Sequence, residues 1–141
     1  MAPPTNLEMN QKKEPGCFAV TAEKKYFHIG NTFIKRSLRP SEWQKHNGYH
    51  YAPLFVLERI LNEGACIKYL SENTNIPLPK LHACFEDDSA AYLIMEYVEG
   101  VGMNELDEAQ RKIVEVELET HIKTLKALKS NKWGGFVDMV R

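Results

Sequence analysis

Two charged residues stand where the pattern around them is apolar. Glu63 has Ile60 three residues before it, Ile67 four after and Leu70 seven after. Helical spacing puts its carboxylate on the packed face, where an unpaired charge would cost several kcal/mol and a buried cation or strong donors are needed. Lys35 is the complementary oddity. It lies in a β-forming run between Ile34 and Leu38, sharing a face with Phe33 and Ser37 while Thr32, Ile34 and Arg36 take the other. A strand lysine and a helix glutamate on apolar faces of adjacent elements suggest an ion pair at a cleft. The competing reading has Lys35 snorkelling to water and Glu63 on the edge of the stripe.

A second feature is Met95-Glu96-Tyr97-Val98-Glu99-Gly100, a strand running into a glycine-bearing linker. Where a strand stops pairing, its backbone N–H and C=O groups become free to hydrogen-bond a flat heterocycle. The plainer alternative is an edge strand leaving its sheet.

The elements that must position these residues follow from turn and periodicity signals. Cys17 to Val20 and Tyr26 to Leu38 are rich in β-formers, and Gly30-Asn31 splits the second run as a two-residue hairpin. Pro40 ends that strand, Ser41 to Gln44 has capping-box spacing for one helical turn, and Trp43 to Tyr51 reads as an irregular, aromatic-rich connection. Pro53 suits the first position of a helix running to about Glu72, with Phe55, Ile60, Leu61, Ile67 and Leu70 as its apolar stripe. Gly64 within it marks close packing against a neighbour. Leu81 to Phe85 and Ala91 to Val98 form a second hairpin around Glu86-Asp87-Asp88-Ser89. Asp107, with Gln110 three residues on, caps a last helix whose stripe is Val114, Leu118, Ile122 and Leu125 and which stops at Trp133-Gly134-Gly135. The fold class is therefore α+β: an antiparallel five-stranded sheet carrying one long helix, then a C-terminal helix beyond a linker.

Composition narrows the rest. With 43% apolar and 26% charged residues and a formal net charge of -1, the chain is an ordinary globular one with no global field toward nucleic acid or an anionic membrane. The three cysteines, Cys17, Cys66 and Cys84, form no C-x-x-C pair, and His82 with Cys84 finds no second pair to complete a metal site. They read as small buried hydrophobes in a reducing compartment, which points to the cytoplasm. No apolar run is long enough to span a bilayer. Residues 1–15, polar and proline-bearing, read as a disordered arm.

These residues together resemble a known family. Thr32-Phe33-Ile34-Lys35 looks like the third-strand V-A-I-K of the protein-kinase fold, Glu63 stands where its helix glutamate would be, and Met95-Glu96-Tyr97-Val98 is similar to a kinase hinge. The stretches Asn62 to Cys66, Asn73 to Leu81 and Tyr92 to Gly100 resemble the aminoglycoside phosphotransferase and choline-kinase-like family, above all its fungal members. The resemblance covers about residues 20–137. It implies a kinase-like N-lobe over 16–100, with 101–141 as the linker and the start of a truncated C-lobe. It also implies an ATP site. Lys35 would bind the α- and β-phosphates with Glu63 fixing its position. Phe33 would sit over the adenine, the carbonyl of Glu96 and the amide of Val98 would take its edge, and Met95 would lie at the back.

Departures from the family pattern matter as much. The turn Thr21 to Lys25 has no glycine, so its backbone cannot close over phosphates; Lys24 or Lys25 could substitute as point charges, or could simply be solvated. The catalytic aspartate shortly after a histidine and the later metal-binding aspartate are absent, Asp138 lacking that context. Magnesium would be held only if a C-lobe is supplied. The expectation is a truncated, kinase-like protein that binds nucleotide without transferring phosphate alone. The competing functions are an active small-molecule kinase completed by a missing or separate C-lobe, and a non-enzymatic interaction module. If the last helix lacks a lobe to pack on, its stripe of Val114, Leu118, Ile122 and Leu125 would recruit a second copy or a partner chain. If it folds back onto the sheet, it would not.

Overall fold

The computed structural model describes residues 5–11 and 13–130. Strands β1 (Cys17–Val20), β2 (Lys24–Ile29), β3 (Thr32–Ser37), β6 (Leu81–Asp87) and β7 (Ala90–Glu96) form one antiparallel sheet in the order β1-β2-β3-β7-β6. The hairpin β4 (Lys45–His46) and β5 (Tyr49–His50) stands apart. The helices are α1 (Asn6–Asn10), α2 (Val56–Asn73) and α3 (Glu108–Ala127). The α+β architecture, with a five-stranded antiparallel sheet and one long helix packed on it, is the one the residue pattern predicts.

Tight turns set the hairpins. Gly30 has φ of +60° and opens the two-residue β2–β3 turn, a conformation that costs a residue without a Cβ nothing. Asp88 and Ser89 close β6–β7 with φ of +47° and +59°, so that turn holds two residues where the sequence predicts four. Arg39, just past β3, donates to the carboxylate and carbonyl of Asp88 and to the Tyr92 hydroxyl, tying this turn to the end of β3.

The core lies between α2 and one face of the sheet. Val56, Ile60 and Gly64 recur every four residues and are buried, and they meet Ala91, Leu93 and Met95 of β7, with Phe33, Leu61, Ile67 and Cys84 packed around them. Fully burying a side chain such as Ile60 contributes about 1.5–3 kcal/mol. The helix begins at Val56, three residues after the start predicted at Pro53. Phe55 precedes it in the left-handed region (φ +52°), so Val56 takes the core position the sequence assigns to Phe55.

On the opposite face, within the segment 1–15 predicted as a disordered arm, the described residues include the short helix α1. Thr5 and Glu8 form a reciprocal capping box that starts α1. Met9 packs on Cys17, Val20 and Phe27, and the Asn10 side chain accepts from the Val20 N–H at 2.8 Å. The Thr5–Glu8 capping box, the packing of Met9 and the Asn10 hydrogen bond to β1 hold the helix where its apolar area is small.

Helix α3 starts with the predicted Asp107–Gln110 capping box and ends at Ala127. The stop predicted at Trp133-Gly134-Gly135 lies outside the described residues, as does Asp138. No residue of α3 is fully buried; Leu118, Ile122 and Leu125 are exposed, and Val114, Leu118 and His121 line a shallow pocket together with Pro77. The helix does not fold back onto the sheet. No helix among the described residues is long and apolar enough to cross a membrane.

Candidate functional site

Lys35 sits in β3 between Tyr26 of β2 and Leu93 of β7, so the strands on either side limit where its side chain can go. Its Nζ lies 2.8 Å from both carboxylate oxygens of Glu63 on α2. The helix is drawn in at the next residue: a Cβ on Gly64 would meet Sγ of Cys84 at 2.4 Å and Leu93 Cδ1 at 3.4 Å. The close approach predicted at Gly64 therefore also brings Glu63 within reach of Lys35. Of the two readings open for this pair, the geometry takes the ion pair. Glu63 is nonetheless more exposed than its spacing implies, at 35% against 16% for Lys35, so it stands at the margin of the packed stripe.

An ion pair this accessible contributes at most about 1 kcal/mol to stability. Its main effect is positional. An ammonium has three N–H donors, and two of those on Lys35 go to Glu63, which leaves one for a ligand on the face of the sheet that α2 covers.

The same face carries an aromatic group at its β1–β2–β3 end. Phe18, Tyr26 and Phe33 form a triangle with centroids 6.1–6.3 Å apart and rings tilted by 42–48°. Phe33 is a predicted site residue; Phe18 and Tyr26 are not. Alternation along β1 does not assign Phe18 to this face, because the register shifts between Cys17 and Ala19.

Met95 is buried in the core against α2, and Phe33 pairs with it across β3–β7. Strand β7 ends at Glu96, two residues before the predicted Val98. The Glu96 N–H donates to the Lys80 carbonyl and its side chain accepts from the Lys80 N–H, both at 2.9 Å. Tyr97 donates its N–H to the Asn31 carbonyl at 2.7 Å and stacks on His28 with centroids 3.6 Å apart. The segment leaving the sheet is thereby pinned to the β2–β3 turn, and Val98 beyond it is 60% exposed.

In the β1–β2 turn, the Thr21 hydroxyl accepts from the N–H groups of Glu23 (3.2 Å) and Lys24 (3.0 Å). Lys25 points to the other side of the sheet, into a carboxylate network with Glu14 and Glu42. That removes it as a substitute point charge for the site. Lys24 takes the Lys35 face.

The network around Lys25 has no precursor in the sequence reading. Arg36, 3% exposed, donates from Nη1 and Nη2 to the two oxygens of Glu42 at 2.6 and 3.1 Å. Burial alone would raise the Glu42 carboxyl, but hydrogen bonds from Arg36, Lys25 and the Arg39 N–H outweigh it and hold the group at about 2. A cavity of about 430 Å³ opens beside this network, lined by Met9, Val20, Leu38 and Trp43 with Lys25 and Glu42. None of the predicted site residues lines it, and its Lys25 and Glu42 are paired with each other, while Nε1 of Trp43 is buried without a hydrogen-bond partner among the described residues.

Comparison with known proteins gives a partial likeness. Over 68 residues, 48% of the chain, the sequence is 32% identical to serine/threonine-protein kinase D of Synechocystis sp.. The match spans 13% of that kinase's length. Part of the chain is thus similar to a protein kinase. No family model matches it.

Proposed function

We propose that the α2 face of the sheet is the nucleotide-binding face of a kinase-like N-lobe, of the aminoglycoside phosphotransferase and choline-kinase type, and that this chain binds ATP without transferring its phosphate unaided. The observation that carries the reading is the Lys35–Glu63 contact, a strand ammonium held by both oxygens of a helix carboxylate 28 residues away. It is supported by the aromatic group of Phe18, Tyr26 and Phe33 beside it, by Met95 behind it, and by the partial likeness to a protein kinase.

In this reading the adenine lies on Phe33, its edge is taken by the backbone of Glu96 and Val98, and the remaining Lys35 donor goes to the α- and β-phosphates. Phosphoryl transfer needs a positioned nucleophile and a metal clamp on the developing charge. The aspartates that follow His82, Asp87 and Asp88, lie at the β6–β7 turn ahead of the hinge segment, the wrong place for a catalytic loop, and residues 1–141 show no metal-binding aspartate in the family's context. Magnesium and the acceptor would then be held by a C-lobe docked through α3, on the exposed stripe of Leu118, Ile122 and Leu125.

Mg-ATP titrated into the purified chain tests this. A ligand at a hundred times its Kd adds about 2.7 kcal/mol of apparent stability, so the melting temperature rises by several degrees. An unchanged melting temperature up to millimolar ATP contradicts the reading. Steady ATP consumption with amino-sugar or amino-alcohol acceptors contradicts its second half.

A further inference from the structure

We infer that Lys24 is a phosphate-binding residue of this face, taking the place of a glycine-rich loop; the inference rests on the nucleotide reading above and goes beyond it.

The β1–β2 turn shows why a side chain is needed. A loop that cradles phosphate does so with free backbone N–H groups and with glycines that let the backbone approach. Here the N–H groups of Glu23 and Lys24 are both taken by the Thr21 hydroxyl, and Thr21 donates its own N–H to the Lys24 carbonyl at 2.9 Å. The turn from Thr21 to Lys24 contains no glycine. Its backbone is closed on itself and offers these amides to no ligand.

Lys24 supplies what the backbone does not. In the β2–β3 ladder Tyr26 is opposite Lys35 and Lys24 is opposite Ser37, so Lys24 is the diagonal neighbour of Lys35 on the same face. From α2, Arg59 and Glu63 stand one turn apart on the side that meets this corner. Arg59 binds Glu23 at 2.9 Å and Lys35 binds Glu63. The corner therefore gathers three cations against two carboxylates. Two of the cations are paired, and the described residues give the Lys24 ammonium no ion-pair partner. Burial, then Lys35 and Arg59, press its pKa downward, against the smaller opposing pull of Glu23 and Glu63. An anion entering beside Lys35 relieves that repulsion. The ligand chemistry that fits is a polyphosphate, with one group on the spare Lys35 donor and the next on Lys24. A carboxylate has one charged group and bridges the two less well.

Binding of adenosine, ADP and ATP to the wild type and to Lys24→Met and Lys24→Arg separates the parts of the claim. Methionine keeps the unbranched stem and removes the charge. A charge-assisted contact predicts a loss of roughly tenfold in ATP affinity for Lys24→Met, a similar loss for ADP, unchanged adenosine binding, and affinity largely restored in Lys24→Arg. ATP affinity within twofold of wild type in Lys24→Met overturns the role of Lys24 and leaves the nucleotide reading standing. Equal losses for adenosine and ATP overturn it too, since they mark a structural effect. A wild type that binds neither ATP nor adenosine overturns both.

Discussion

Gly64 of α2 and Cys84 of β6 are packed so closely that a Cβ on the glycine would sit 2.4 Å from the sulfur and 2.6 Å from Cβ of the cysteine. The thiol also donates to the Ile60 carbonyl at 3.6 Å, one turn back along the helix. This approach sets the height of α2 above the sheet, and the neighbouring Glu63 reaches Lys35 from that height.

Gly64→Ala therefore forces the helix outward. The expected cost is about 1–3 kcal/mol, the usual range for overpacking a filled core, read as a lower urea midpoint. Adding Cys84→Ala removes the sulfur and leaves the 2.6 Å Cβ contact, so it recovers part of the loss. A fully stable Gly64→Ala protein would show that the helix can shift without consequence.

The Arg36–Glu42 pair predicts an acid-dependent step. The Glu42 carboxyl is lowered from 4.5 to about 2, so in the folded state it keeps its charge longer than in the unfolded one. Its contribution is complete above about pH 4.5 and falls away as pH drops toward about 2. The shift sets a ceiling of about 3 kcal/mol. In Glu42→Gln, unfolding measured from pH 6 down to pH 2 loses much of this slope, and the protein is weaker at neutral pH because Arg36 is left buried without its main partner. An unchanged pH profile in the variant would contradict the assignment.

The exposed stripe of α3 predicts association. Leu118, Ile122 and Leu125 are each more than 40% exposed on one side of a helix that has no fully buried residue. Light scattering of the isolated chain should show a concentration-dependent rise in mass, and Leu118→Lys with Ile122→Lys should abolish it. A monomer at high concentration shows that the stripe is tolerated in water.

The Lys35–Glu63 contact is legible in the sequence because both residues break a periodic apolar pattern, and a charge inside such a pattern implies a partner. Gly64 is legible for a related reason, as a poor helix former kept inside a helix. The Arg36–Glu42 pair is not, because an arginine on a strand's outer face reads as solvated until Glu14, Lys25 and Glu42 are seen to close over it. Helix α1 escapes notice because its stability comes from contacts with β1, not from its own composition. The hairpin of β4 and β5 turns on Asn47 and Gly48, a strong signal, but its strands are two residues long and show no alternation. The start of α2 is misplaced because Pro53 carries a helix-start signal while Phe55 adopts a left-handed backbone that no local preference of phenylalanine predicts.

Lys35→Met tests the central claim most directly. An ion pair whose carboxylate still reaches solvent contributes little to folding, so the variant should unfold within about 1 kcal/mol of wild type. Titration calorimetry with ATP should nonetheless show wild-type binding and a loss of at least about tenfold in the variant, since a charged contact to phosphate is gone. Equal ATP affinity in two equally stable proteins would contradict the account.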